Sequence, residues 1–299
     1  MMWQELLQQI QNGNRKALAR GISLIENESA GYEKMLQSLP ASATKITGIT
    51  GPPGAGKSTL VDAMIAQWVQ AGKKVAVLCV DPSSPFNMGA LLGDRIRMSD
   101  WYLHDHVFIR SLASRGSMGG LHPKILEITD LMKQADFDHI IVETVGVGQS
   151  EIEIAGLADV TMVVLVPEAG DEVQTMKAGL MEIADIFVVN KADRPGADVF
   201  VKNLRQMLAP SFSNHYHEVP VIKTIASQKD GIEKLIELLA HQLQKSHTTD
   251  KKFWLLAEKA YYLLEQKRMK GIVKSELKKE IEHQYKKNNF NLYQFVAGK

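Results

Sequence analysis

The chain has 299 residues, with 35 Lys and Arg balanced by 34 Asp and Glu for a formal net charge of +1. That length can bury a full core, and the even charge argues against a global pull toward nucleic acid or anionic lipid, so neither a nucleic-acid nor a membrane partner is expected. A single cysteine, Cys79, excludes an intramolecular disulfide, and no apolar run reaches signal-peptide length or the roughly 20 residues of a membrane span, which points to a soluble cytoplasmic protein.

Taken in order, residues 1–42 read as helical: Trp3, Leu6, Leu7, Ile10, Leu18, Ile22, Leu24 and Ile25 recur near helical spacing, and Pro40 ends the run. From residue 43 to 245 short β-rich runs alternate with amphipathic stretches. Strands are expected at 45–50, 74–80, 107–112, 139–143, 160–166, 186–190 and 221–226, and helices at 58–70, 123–135 and 172–184 among others. Runs such as 161–166 are apolar without alternation, as for strands covered on both faces, and Cys79 falls in one of them. The fold class expected is α/β with a mainly parallel central sheet and right-handed crossovers. Beyond residue 245 the strands stop, and 253–269 and 273–285 read as helices of a C-terminal extension, 246–299.

The strongest chemical signal is Gly51-Pro52-Pro53-Gly54-Ala55-Gly56-Lys57-Ser58-Thr59, a phosphate loop between an expected strand and an expected helix. Its glycines let backbone amides wrap phosphates, and the helix N-terminus adds positive potential. Lys57 supplies a cation to the β and γ phosphates and Ser58 a hydroxyl to Mg²⁺. Three acids near strand ends, Asp81, Asp94 and Glu143, suit the hard-oxygen needs of that ion; each could instead cap a turn or face solvent. After Glu143, Gly146 is placed to sense a γ phosphate as part of a switch segment. Gln149 either orients the attacking water or merely opens a helix.

Asn190-Lys191-Ala192-Asp193 follows the sixth expected strand. Guanine offers two donors on one edge, which one carboxylate, that of Asp193, can accept; adenine would leave it unpaired. Lys191 can lie along the purine face and Asn190 can tie the loops together. A last base contact is expected from the backbone of Ala226 or Ser227, where the usual serine-alanine order is not kept. Together these motifs indicate a GTPase using GTP and GDP with Mg²⁺. Charge spreading from the γ phosphate would be stabilised at Lys57, with Arg95, Arg97, Arg110 or Arg115 able to serve as a further cation after rearrangement.

Beyond these motifs the chain resembles the MeaB/ArgK-type P-loop GTPases over roughly residues 3–285. The resemblance is carried by 51–59, 80–85, 93–98, 110–116, 119–120, 170–179, 182–185 and 190–193. Its most specific part is the string Glu143-Thr144-Val145-Gly146-Val147-Gly148-Gln149-Ser150-Glu151. It implies a homodimer whose C-terminal helices form the dimer arm. It also implies a role guarding an adenosylcobalamin-dependent acyl-CoA mutase, chiefly methylmalonyl-CoA mutase, by gating cofactor loading, with no cobalamin bound directly. A third switch would span 170–177, with Asp171, Gln174 and Lys177 as its polar members; their spacing of three lets them share one helix side, which a solvated face would also explain. Departures are Ser117 and Met118, His122-Pro123, and a short polar tail after Tyr285.

Two other classes stay open: a phosphotransferase that uses the same loop to phosphorylate a protein or small molecule, for which the resemblance supplies the older label of a transport-system kinase acting on a protein, and a non-catalytic dimerising scaffold. A nickel or zinc chaperone is disfavoured, since His104, His106, His215 and His217 lack companion cysteines.

Overall fold

A computed structural model describes residues 3–81, 98–113, 121–144, 150–169, 181, 183–208, 219–245, 250–269, 271–286 and 290–299. The chain forms two compact units, Met1–His247 and Thr248–Lys299.

The first unit begins with three helices, α1 (Trp3–Gln11), α2 (Arg15–Glu26) and α3 (Tyr32–Gln37). The sheet strands are β1 (Ile46–Thr50), β2 (Val75–Asp81), β3 (Val107–Ala113), β4 (His139–Glu143), β5 (Val160–Leu165), β6 (Ile186–Val189) and β7 (Val221–Lys223). Between them run α4 (Lys57–Gln70), α5 (Ile125–Met132), α6 (Ser150–Leu157) and α7 (Ala197–Met207), and α8 (Ile232–Lys245) follows β7. The sheet order is β3-β2-β4-β1-β5-β6-β7, with every strand pairing parallel. The seven strands are those expected. The fifth, sixth and seventh stop early, at Leu165, Val189 and Lys223; after the last two the chain turns, as Lys191 takes a left-handed φ of 56° and residues Ala226–Gln228 coil into a short 3-10 turn. Most of the helix expected at 172–184 lies outside the described residues.

Side-chain alternation sorts the sheet into two covered faces. Val75, Val77, Cys79, Ile49, Ile141, Met162 and Val164 point to α4 and α8. Ala76, Leu78, Val80, Phe108, Ile140 and Val142 point the other way, to a cluster that includes Leu6, Ile10, Leu18, Ile22 and Ile25 of the first two helices and Ile128 and Leu131 of α5. The N-terminal helices are therefore one coat of the sheet. Cys79 is buried among apolar neighbours, 1% exposed. Both sheet edges are blunted by arginines: Arg15 donates to Val107 O at 3.1 Å and Arg205 to Val221 O at 3.2 Å.

At the rim where the strands start, one device recurs three times. Asp138, Asp159 and Asp185 stand directly before β4, β5 and β6. Each donates its backbone N–H to a residue on the neighbouring strand's side and accepts that residue's N–H with its carboxylate. The partners are Lys74 (2.9 and 2.8 Å), Ile46 (2.8 and 2.9 Å) and Thr161 (2.9 and 2.7 Å). Burial pulls the Asp138 carboxyl up, but the Lys74 amide and the Lys73 ammonium outweigh it and hold it below the ordinary carboxylate range. A depressed folded-state pKa gives stability that is present above the unfolded value and lost as pH falls through the folded one. Asp138→Asn is thus expected to lower the unfolding temperature at neutral pH, with the gap to the parent closing as pH falls below about 4. Thermal melts from pH 7 to pH 2.5 check this; a gap independent of pH would remove the charge from the account.

The second unit holds α9 (Asp250–Met269), α10 (Lys274–Tyr285) and α11 (Leu292–Ala297). The tail after Tyr285, expected to be only short and polar, forms this last helix, capped by the Asn291 side chain on Tyr293 and Gln294 amides, with the Tyr285, Phe290 and Phe295 rings about it. Within the chain, Phe253, Trp254, Leu256, Tyr261, Leu264 and Tyr293 are exposed. Among the described residues, no helix is long and apolar enough to cross a membrane.

Candidate functional site

The phosphate loop leaves β1 at Thr50 and enters α4 at Lys57. Three glycines in left-handed φ shape it, Gly51 at 137°, Gly54 at 78° and Gly56 at 85°. Two of them are also pinned by close approach: a Cβ on Gly51 would lie 2.1 Å from Val164 O, and one on Gly56 would lie 2.5 Å from Asn190 Nδ2. Ala55 is fully buried within the loop, Pro53 and Gly54 form its exposed tip, and Pro52 and Thr59 are half-buried. Lys57 is 7% exposed and folds back over the loop, donating to Gly51 O at 2.8 Å and Pro52 O at 3.1 Å. Its ammonium therefore sits at the mouth of the loop, beside the N-terminus of a 14-residue helix.

Ser58 Oγ donates to Glu143 Oε1 at 2.7 Å, and both residues are buried. Register places Glu143 beside Ile49 of β1 and Cys79 of β2, so the end of β4 lies between the strand carrying the loop and the strand ending in Asp81. A hydroxyl and a carboxylate oxygen side by side at the exit of a phosphate loop are hard-oxygen donors of the type Mg²⁺ takes, and the residues fit that ion. Asp81 is described as the last residue of β2 without its side chain; Asp94 lies outside the described residues. So do Gly146, Gln149, Asp171, Gln174 and Lys177.

The base motif and the phosphate loop are wired together through one amide. Asn190 Nδ2 donates to Ala55 O at 2.9 Å, while Asn190 Oδ1 accepts from Thr224 Oγ1 at 3.2 Å and from Ala226 N at 3.1 Å. Three separate loops thus meet on a side chain that is 2% exposed. Lys191 Nζ donates to Gly54 O at 2.8 Å, so its stem runs from the base motif to the loop tip. Asp193 is exposed next to these groups. Its neighbour Arg194 pairs with Glu168, which follows β5. Since the Ala226 amide is engaged by Asn190, Ser227, exposed at the same turn, carries the next amide along.

Over residues 18–284 the chain matches the family described as "Methylmalonyl Co-A mutase-associated GTPase MeaB". The chain belongs to the MeaB family. It is a P-loop GTPase of that family, built to bind GTP and GDP. A Pyrococcus horikoshii protein named as a GTPase is 42% identical over 283 residues, covering 93% of this chain and 88% of that one. A "Fused isobutyryl-CoA mutase" of Geobacillus kaustophilus is 34% identical over 261 residues, covering 82% of this chain and 24% of the much longer mutase. Among solved structures, a "LAO/AO transport system kinase" superposes with a TM-score of 0.68 at 25% identity, covering 99% of this chain and 95% of the other.

Within this MeaB-family chain Arg110 does not serve the phosphate site as folded. It alternates with Phe108 and Leu112 onto the face coated by the N-terminal helices, where it donates to Glu26 Oε2 at 2.5 Å and Ser23 Oγ at 3.2 Å. Arg95, Arg97 and Arg115 lie outside the described residues. A neighbouring group on that face centres on Lys124, which pairs with Glu28 at 2.9 Å and bonds the Tyr32 hydroxyl at 3.3 Å. Burial pulls the Lys124 ammonium down, but these bonds and the charges of Glu127 and Glu28 hold it above its ordinary value.

Reading residues singly missed Thr50, Thr144 and Thr224, three buried threonines at the ends of β1, β4 and β7. Their common mark in the sequence is a hydroxyl at the last residue of a strand or the one after it, preceded by Ile49, Glu143 and Lys223.

Proposed function

We propose that this chain hydrolyses GTP with Mg²⁺ as a chaperone of an adenosylcobalamin-dependent acyl-CoA mutase, gating the loading of the mutase's cofactor. The observation that carries the reading is the relative in which a matching segment of 261 residues is part of a fused isobutyryl-CoA mutase. Fusion holds two partners at high effective concentration, which is useful when the pair must act together. Methylmalonyl-CoA mutase is the first partner to test, given the family's description.

In the proposed chemistry Ser58, Glu143, Asp81 and Asp94 hold Mg²⁺, which when bound supplies charge neutralisation on the phosphate oxygens. Lys57 turns from the loop carbonyls to the β and γ phosphates, and the loop amides hold the phosphate chain. Gln149 orients water for in-line attack, and Gly146 contacts the γ phosphate through its amide. Asp193 accepts from the two guanine donors, Lys191 covers the ring, and the Ser227 amide meets the base carbonyl. Asp171, Gln174 and Lys177 answer the partner. The exposed apolar side chains of α9 support a homodimer formed through the C-terminal unit.

Adding the mutase to the GTPase is expected to raise phosphate release by about tenfold or more, as an ordering partner does for other GTPases, and Lys177→Ala should lose most of that gain. Equal stimulation of both proteins would take Lys177 out of the mechanism. If no acyl-CoA mutase binds or stimulates the chain, the partnership is wrong. The likeness to a transport-system kinase keeps a phosphotransferase as the second reading; γ-labelled GTP in the same assay would then mark a protein rather than free phosphate.

A further inference from the structure

We propose that Thr50 and Thr144 form a hydroxyl latch that positions Glu143 and the phosphate loop for hydrolysis. Regular ladder pairing of β4 with β1 ends at Glu143, yet the next residue stays attached: Thr144 N donates to Ile49 O at 3.0 Å. The Thr144 hydroxyl then donates to the Thr50 hydroxyl oxygen at 2.9 Å. Thr50 is 0% and Thr144 2% exposed.

The placement is specific. Thr50 immediately precedes Gly51, the first residue of the phosphate loop, and Ser58 lies just past its last glycine. The last residue of β4 and the one after it therefore hold the two ends of the loop, Thr144 at its start through Thr50 and Glu143 at its exit through Ser58. Alternation puts the two contacts on opposite faces of the sheet: Ile49 faces α4, so Thr50 faces away.

Valine has nearly the shape of threonine and would fill the same space without burying a hydroxyl, which is costly to desolvate. A hydroxyl pair at this point thus adds a directional bond that packing alone does not need. Transition-state stabilisation depends on donors fixed in place before reaction, and small displacements of such groups lower rate more than affinity. The loop amides that grip the phosphate chain do not belong to the latch, so binding should survive its loss.

The inference rests on the reading of Glu143 as the metal-side acid, and the experiment separates the two. Single-turnover GTP hydrolysis and GDP affinity are measured for Thr144→Val, Thr50→Val, the double variant, Thr144→Ser and Glu143→Gln. Each valine variant is expected to lose about tenfold in kcat with GDP affinity within about twofold of the parent, and Thr144→Ser to regain the parental rate. The double variant should be no slower than either single one, as for two halves of one bond. Valine variants that fold and turn over at the parental rate would overturn the latch. Unfolding or weakened GDP binding in both would assign the threonines a structural part instead. Should Glu143→Gln hydrolyse GTP like the parent, the metal-side reading itself fails; should it be inactive while the valine variants are normal, only the latch does.

Discussion

Lys57→Ala is expected to abolish turnover while leaving the fold in place, with a fall in kcat of about a thousandfold. The charge that spreads over the γ phosphate in a loose transition state needs cations to meet it, and among the described residues Arg110 is committed to Glu26 on the far face. The Lys57 ammonium is already at the loop mouth, bonded to Gly51 O and Pro52 O, so little reorganisation separates the resting position from the phosphates. Truncation also removes the donors those carbonyls use, so GDP affinity should weaken less than rate but not stay untouched. A malachite-green phosphate assay beside a circular dichroism melt reads both. A variant that retains a tenth or more of the parental rate would put the phosphate site elsewhere.

Asp193→Asn should reverse the base preference. Guanine presents two donors to the carboxylate; the amide can accept from one and must oppose the other with its own N–H. Loss of a designed pairing of this kind costs a factor of about a hundred or more in affinity for GTP, and xanthosine triphosphate, whose 2-oxo group accepts, should become the better ligand. Asp193 is exposed in the chain alone, so the discrimination arises when the base itself shuts water out. Competition titrations with GTP, ATP and xanthosine triphosphate decide the matter. Unchanged GTP affinity, or ATP outcompeting GTP in the parent, would end the base assignment.

The sheet was legible because parallel strands covered on both sides leave an unbroken apolar trace, as in residues 162–165. The phosphate loop was legible because its glycines serve backbone geometry that other residues strain to reach, as the approaches at Gly51 and Gly56 bear out. Strand ends were less so: Asn190 keeps its backbone bond to Leu165 O at 2.8 Å while its side chain has already turned to the loops, a split that no periodicity records. The direction of Arg110 depends on which strand neighbours it and on the helices above, both facts of tertiary structure. The aspartate brackets were invisible for a similar reason, since each pairs residues 24 to 113 positions apart. The threonine pair joins residues 94 apart and is silent in either segment read alone.

The coat that α1, α2 and α3 lay over β1 to β4 sets where this protein can be cut. A chain started at residue 43, where the β pattern begins, would keep every residue that touches nucleotide in the proposed site. It would also strip Leu6, Ile10, Leu18, Ile22 and Ile25 from the cluster they share with Ala76, Leu78, Val80 and Phe108, leaving α5 to cover that side with less help. Such a minimal enzyme would carry newly exposed apolar surface, and its aggregation would say nothing about GTP. The first 40 residues carry no catalytic motif, yet they bury apolar surface of the unit that holds the phosphate loop.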